Sequence, residues 1–367
     1  MAISGILFIS FADVSSWHST AIHIWVVAVY LFFCVAYTAD AIPYGSLASV
    51  ITNEPVERTK LSRARSIGGM IVSVGFLSFV PTFIYDKSGN VVSEAFFYIA
   101  IVFSILSLVS YTLLLKMTTE RVRDDQAFGQ KPEYSFKDAF KAAFTNRPLI
   151  GMMVATLGSM LIVSGVATLA PIVFAEYYDA PSAFAINQFI SMGVILVLFV
   201  FIPRLVAKFN KRNLIIVSST FSLLASAFLT FTTIGNVYVF ATLYNIATIG
   251  SFVFIMLVWA LVTDCIDYTE YKTGKHYEGT LYSLYSFVRK VGMGVGAAFG
   301  SYALGWVGFV SGAKSQTQEV AEGVLKMYTA LPIAAFILIL IGVGLIFHLN
   351  TKRTNEMYSV LRERRAS

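Results

Sequence analysis

Three carboxylates, Asp264, Asp267 and Glu270, stand at positions i, i+3 and i+6 in DCIDYTEYKTGKHYEGTLYSLYSFVRK. On a helix that spacing puts them on one face, where like charges raise one another's pKa unless a cation or a base comes between them. Lys272 is the nearest base in the chain. Two kinds of chemistry suit the cluster: holding a small cation, or forming charge pairs that break and reform as a gate moves. A solvated loop with ordinary surface pairs is the plainer alternative, and it fits Lys275, His276 and Glu278 best. A fourth carboxylate, Asp40, stands near Thr38, three residues before Pro43 and five before Gly45, in FFCVAYTADAIPYGSLASV. Pro43 removes a backbone donor and Gly45 loosens the turn, so carbonyls freed there are able to coordinate a cation or a ligand. The competing reading is a kink with Asp40 bonded to a neighbouring helix.

Arg65, in ERTKLSRARSIGGM, opens a Gly-rich run. It is either one more basic residue flanking an apolar segment or a ligand for two hydroxyls or a carboxylate at once. Tyr268, Tyr271, Tyr282 and Tyr285 cluster around the acidic stretch, and aromatics make up 15% of the chain. Aromatic faces, Tyr hydroxyls, carboxylates and an Arg together suit a polyol; an aromatic belt at a lipid interface explains many of the rings equally well.

The elements that position these groups are dictated by the solvent. With 57% hydrophobic and 13% charged residues and a mean hydropathy of +0.72, the chain is built for lipid. A charged group at membrane depth costs about 3 kcal/mol, so each one there needs a partner, a wet cavity or a function. Apolar runs long enough to span a bilayer predict ten crossings, near 1–12 (short), 22–50, 66–85, 95–115, 148–174, 187–203, 214–232, 238–266, 280–308 and 327–349. An all-α polytopic membrane protein follows, since lipid leaves no backbone group unsatisfied without cost. Alternating the loops puts 51–65, 116–147, 204–213, 267–290 and the tail after 350 on one side with 24 of the 27 Lys and Arg, against Lys87, Lys314 and Lys326 on the other. That bias places the C-terminus in the cytoplasm and explains the net charge of +6 without nucleic acid.

A polar connector at 116–147, with an amphipathic stretch at 136–144, divides four crossings in 1–115 from six in 148–349; a basic tail follows at 350–367. Transporters built from two six-helix halves have such a connector between equal sets, so the count reads as two helices short at the start, unless ten is the native number. Cys34 and Cys265 lie in or beside apolar runs and the four histidines show no ligand spacing, so no metal or disulfide framework is expected. No hydrolase triad, P-loop or dinucleotide fingerprint is present, which argues against an enzyme and against an organic or nucleotide cofactor.

IPYGSL followed by ERTKLSRAR, then FIPRLVAKFNKR, then DYTEYKTGKHYEGTLYSLYSFVRK resemble the glycoside-pentoside-hexuronide:cation symporters, the melibiose permease family, over essentially the whole chain. The resemblance implies a major-facilitator fold of twelve helices, of which this chain lacks the first two, in a bacterial cytoplasmic (inner) membrane. It implies symport of a sugar or glycoside with Na⁺ or H⁺ by alternating access, with the bilayer as surroundings and a monomer as sufficient unit. By position, Arg65 matches a sugar-binding arginine, Lys272 the lysine of an EYK motif beside the sugar and cation sites, Thr38 a cation-site threonine, and Tyr44 an aromatic next to the sugar. Asp40, Asp264, Asp267 and Glu270 are the further candidates for cation coupling. Gly45 and Ala41 depart from the melibiose permease, standing where it has a sugar-stacking tryptophan and a sugar-binding aspartate, so melibiose is not the expected substrate. The family's helix-two carboxylates and a helix-one aspartate would precede Met1, which leaves a transport-incompetent fragment as the alternative. A membrane-embedded receptor or enzyme is the remaining one.

Overall fold

A computed structural model describes residues 18–51, 68–69, 72, 93–118, 141, 143–274, 278–311, 313 and 315–366. Among them every regular element is helical, and seven stretches are long and apolar enough to cross a membrane. The chain divides into two compact units, Met1–Lys131 and Pro132–Ser367. The first contributes α1 (Ser19–Ile51), which runs on through Pro43, and α2 (Ser93–Met117). The predicted crossing at 1–12, and most of the stretches at 66–85 and 136–144, lie outside the described residues.

The second unit holds α3 (Arg147–Tyr177), α4 (Ala183–Phe209), α5 (Lys211–Phe231), α6 (Val237–Ala247), α7 (Ile249–Thr273), α8 (Glu278–Trp306), α9 (Gln318–Ile346) and α10 (Thr351–Ala366). Their ends are set by local chemistry. The Asn146 side chain caps α3 by accepting from the Leu149 amide at 3.0 Å, and Asn236 caps α6 through Tyr238 and Val239. Thr317 caps α9, and Gly274, at φ +69°, closes α7 with its amide on the Glu270 carbonyl at 2.8 Å.

Three readings of loops are corrected here. The segment 204–213 is helical apart from Asn210, whose φ of +67° turns α4 directly into α5, with no glycine to signal the turn. Residues 267–273 continue α7 as far as Gly274, which closes it. Arg289 and Lys290, grouped with that loop, lie inside α8. The basic tail after 350 is itself the helix α10, with Met357 and Leu361 buried.

In lipid, helices are held together by close packing rather than by exclusion of water, and small residues let backbones meet. A Cβ at Gly151 of α3 would come within 2.6 Å of the Gly342 carbonyl oxygen in α9, and one at Gly296 of α8 would come within 2.6 Å of the Met160 oxygen in α3. The α3 helix therefore lies flush against both neighbours. It widens into π-helical turns at 161–166 and 173–177, and α9 does so at 340–346. Two apolar cores result. One surrounds Met152, Phe254, Leu261 and Phe336, and the other surrounds Leu169, Phe240, Tyr244 and Tyr328.

Candidate functional site

Polar side chains gather at the end of the second unit where α10 docks. Asp264, 3% exposed, receives Lys211 Nζ on Oδ2 at 2.6 Å and the Tyr358 hydroxyl on Oδ1 at 2.8 Å. One carboxylate thus joins α5, α7 and α10. The base beside Asp264 is Lys211 and not Lys272: the tight turn at Asn210 delivers the first residue of α5 to α7 across 53 positions of sequence, a contact no local spacing reveals. A buried carboxylate is tolerable only with such partners, since removing one strands the other charge. Asp267 is buried and Glu270 half-buried, and neither stands free.

The neighbouring cations cap broken backbone. Arg212 donates from Nε and Nη2 to the Val343 and Gly344 carbonyls at 3.1 and 2.7 Å, and Arg147 donates to the Leu345 carbonyl at 3.3 Å. These are carbonyls in the π-helical end of α9, and the guanidinium fork satisfies them. Asn146 ties the start of α3 to α7 through the Cys265 carbonyl at 2.7 Å and the Thr269 hydroxyl at 2.6 Å.

Lys272 is exposed, with its ammonium 5.4 Å from the Tyr268 ring centroid. The Tyr268 hydroxyl and His348 Nε2 share a hydrogen bond at 3.3 Å, their rings edge to face. Burial, and then the charges of Arg353, Arg147 and Lys272, hold the His348 imidazole below its ordinary pKa, with the Ile346 carbonyl acting the other way. His348 carried no motif in the sequence, and its role rests on tertiary contact alone.

A second constellation lies deeper. Thr156, nine residues into α3 and so about 14 Å along its axis, shares a hydrogen bond with Tyr285 of α8 at 2.9 Å. At that level Trp259 of α7 stacks on Tyr282 with centroids 5.7 Å apart and planes at 25°, and meets Tyr285 edge to face. The Arg289 guanidinium sits over Trp259, 5.8 Å from its centroid. Trp259 and Tyr282 are each 40% exposed, so ring faces and the cation are open to a ligand. Apolar ring faces stack on pyranose rings, and a guanidinium donates in a fixed fork to hydroxyls or a carboxylate. Tyr282 and Tyr285 were singled out by the sequence, whereas Arg289 was counted with a loop. Its signal is the i, i+3, i+7 spacing with them, one helix face.

In the first unit, Tyr44 is half-buried in α1 and is not free of partners; Thr38 and Asp40 are placed by that helix alone, and Arg65 lies outside the described residues.

The family model for MFS/sugar transport proteins matches residues 1–350. The chain belongs to that family. The resemblance drawn from the sequence motifs therefore holds at the level of the superfamily and its cargo class. Over 346 residues this MFS sugar transport protein is 28% identical to the uncharacterized symporter YjmB of Bacillus subtilis (strain 168), spanning 93% of this chain and 73% of the relative. It is 27% identical over 331 residues to the glucuronide carrier protein homolog of Escherichia coli (strain K12), covering 89% and 70%. It is 25% identical over 354 residues to the isoprimeverose transporter of Lactiplantibacillus pentosus, covering 94% and 71%. In a transport protein of this family, the exposed ring-and-guanidinium patch at the level of Thr156 has the chemistry of a sugar contact surface, and the Asp264 junction has that of a separable joint between helices.

Proposed function

We propose that this protein couples movement of a sugar, a glycoside, pentoside or hexuronide, to Na⁺ or H⁺ flowing down its gradient, by alternating access of two helical halves at 1–115 and 148–349 joined by a connector at 116–147. The observation that carries the reading is the Trp259–Tyr282–Arg289 patch at membrane depth, where a cation held against aromatic faces is costly without a purpose. The names of relatives, a glucuronide carrier homolog and an isoprimeverose transporter, support the cargo class. The chain works as a monomer in a bacterial cytoplasmic membrane with α10 on the cytoplasmic side, the side that the basic loops favour. The Lys211–Asp264–Tyr358 junction then belongs to the inner gate and parts when that side opens.

The test is uptake of a labelled sugar panel into proteoliposomes holding this chain, under imposed Na⁺ or H⁺ gradients. One gradient is expected to drive accumulation that an ionophore abolishes. Trp259→Ala is expected to lower the uptake about ten-fold, the worth of one stacking contact. Uptake of no sugar, or uptake indifferent to both gradients, rules symport out.

A further inference from the structure

At the end of the second unit away from α10, a cavity of about 460 Å³ opens between the end of α3, the turn before α6 and the start of α9. Glu176, Tyr177, Tyr178, Gly235, Gln316 and Gln318 line it. Its walls are fixed before any ligand arrives. The Tyr178 hydroxyl donates to the Ile234 carbonyl at 2.9 Å, and its ring packs against Phe240 at 5.2 Å and edge-on to Tyr177 at 4.8 Å. Gln316 grips Val310 with both ends of its side-chain amide, donating to the carbonyl at 2.8 Å and accepting from the backbone amide at 3.2 Å. Its own backbone amide donates to Glu176 Oε2 at 3.3 Å.

Two of the three polar groups left over only accept, and the Tyr177 hydroxyl accepts and donates. Glu176 Oε1, Gln318 Oε1 and the Tyr177 hydroxyl make no hydrogen bond among the described residues, while Gln318 Nε2 is occupied by Glu322 at 3.1 Å. The cavity therefore offers acceptors and ring faces, and no described cation lines it. Ligands rich in hydroxyl donors with an apolar face fit this set, and the volume lies in the range of small-molecule pockets. An anionic sugar meets the Glu176 carboxylate instead.

We propose that this cavity is an outer-mouth subsite for uncharged pyranosides, which binds neutral sugars ahead of transport and disfavours hexuronides through Glu176. The proposal rests on the transport reading above, since it concerns cargo arriving from the side opposite α10. A methyl glucoside bearing a diazirine tests it, photolysed with the full chain in lipid nanodiscs, with the labelled peptides read by mass spectrometry and uptake measured in parallel. Labelling is expected at residues 176–178 or 316–321, suppressed by excess methyl β-D-glucoside and not by equal glucuronate. Tyr177→Ala is expected to reduce it at least five-fold. Glu176→Gln keeps the acceptor for the Gln316 amide and is expected to let glucuronate compete about five-fold better, the effect of removing one nearby charge in a partly solvated site. Labelling only elsewhere, with uptake intact, overturns this subsite and leaves the transport reading standing. Glucuronate competing as well as the glucoside in the unaltered chain overturns the selection. No labelling and no uptake of any sugar sink both.

Discussion

At one end of the second unit a single carboxylate, Asp264, holds α5, α7 and α10 together through Lys211 and Tyr358. At the other end Tyr328 of α9 lies stacked on Tyr244 of α6 with centroids 4.3 Å apart, Phe240 beside it at 6.2 Å and Phe174 beyond. Both ends are buried, yet they resist change differently. Ring packing has no preferred partner, and its strength follows the contact area that separation would expose. A charge pair is strong only while both members are present, and it can be exchanged for water when both leave together. Rings packed in this way stay assembled, whereas the ion pair and the hydrogen bond on Asp264 can separate and return. That difference suits a bundle in which one end opens while the other pivots, and breaking it by mutation should show which end is which.

The largest loss is expected at the aromatic end. Tyr328 is 1% exposed, and Tyr328→Ala leaves a void beside Tyr244 and Phe240, costing about 4 kcal/mol in equilibrium unfolding from mixed micelles. Asp264→Asn comes next, at about 3 kcal/mol, because the Lys211 ammonium loses its countercharge. The comparison is sharpened by the double variant Lys211→Met with Asp264→Leu, which removes both charges and is expected to recover most of that loss. No second substitution of this kind rescues Tyr328→Ala. A double variant as unstable as Asp264→Asn would mean that shape and not charge holds this end.

Helix positions were more legible in sequence than the contacts at either end: Asp264 was singled out, but none of the rings at the aromatic end was. Apolar runs with turn residues between them located eight of the helices to within a few residues at most ends, for example 95–115 against Ser93–Met117, because lipid admits few other structures. Periodicity missed what depends on a single backbone angle or a distant partner. Asn210 turns α4 into α5 within one residue, so Lys211 was read as a loop lysine, although it is the partner of Asp264. Asp264 was read as one of three crowded carboxylates in need of a cation or a base, with Lys272 chosen for nearness in sequence; the structure buries it beside Lys211 instead. The π-helical turns in α3 and α9 left no mark in composition. Arg289 fell inside the predicted crossing at 280–308, which matches α8 to two residues at each end, yet it was also counted with the basic loop at 267–290.

Tyr358→Phe separates the two bonds of the ionic end. It removes only the hydroxyl that donates to Asp264 Oδ1, leaving the Lys211 pair in place. A loss of about 1.5 kcal/mol is expected, half or less of that for Asp264→Asn. If the junction is a gate, the same variant raises the reactivity of the Met357→Cys thiol, buried while α10 is docked, toward a water-soluble maleimide, since α10 undocks more often.

The smallest effect is a dependence on pH at the ionic end alone. Cations surround His348 there, and the Tyr268 hydroxyl is its hydrogen-bond partner. Burial and the charges of Arg353, Arg147 and Lys272 depress its pKa, so the folded protein refuses a proton that the unfolded chain accepts near pH 6.5. Its contribution is therefore whole above about pH 6.5 and is lost as the pH falls from there through the lower folded value. His348→Gln can keep a hydrogen bond to Tyr268 but cannot titrate, and it is expected to flatten the decline in stability between pH 7 and 5. High salt should reduce the difference between the two proteins, since it screens the three cations but not the burial. An equal decline in both proteins would show that the titrating group lies elsewhere. No histidine is among the described residues packed at the aromatic end, so Tyr328→Ala should cost the same at either pH.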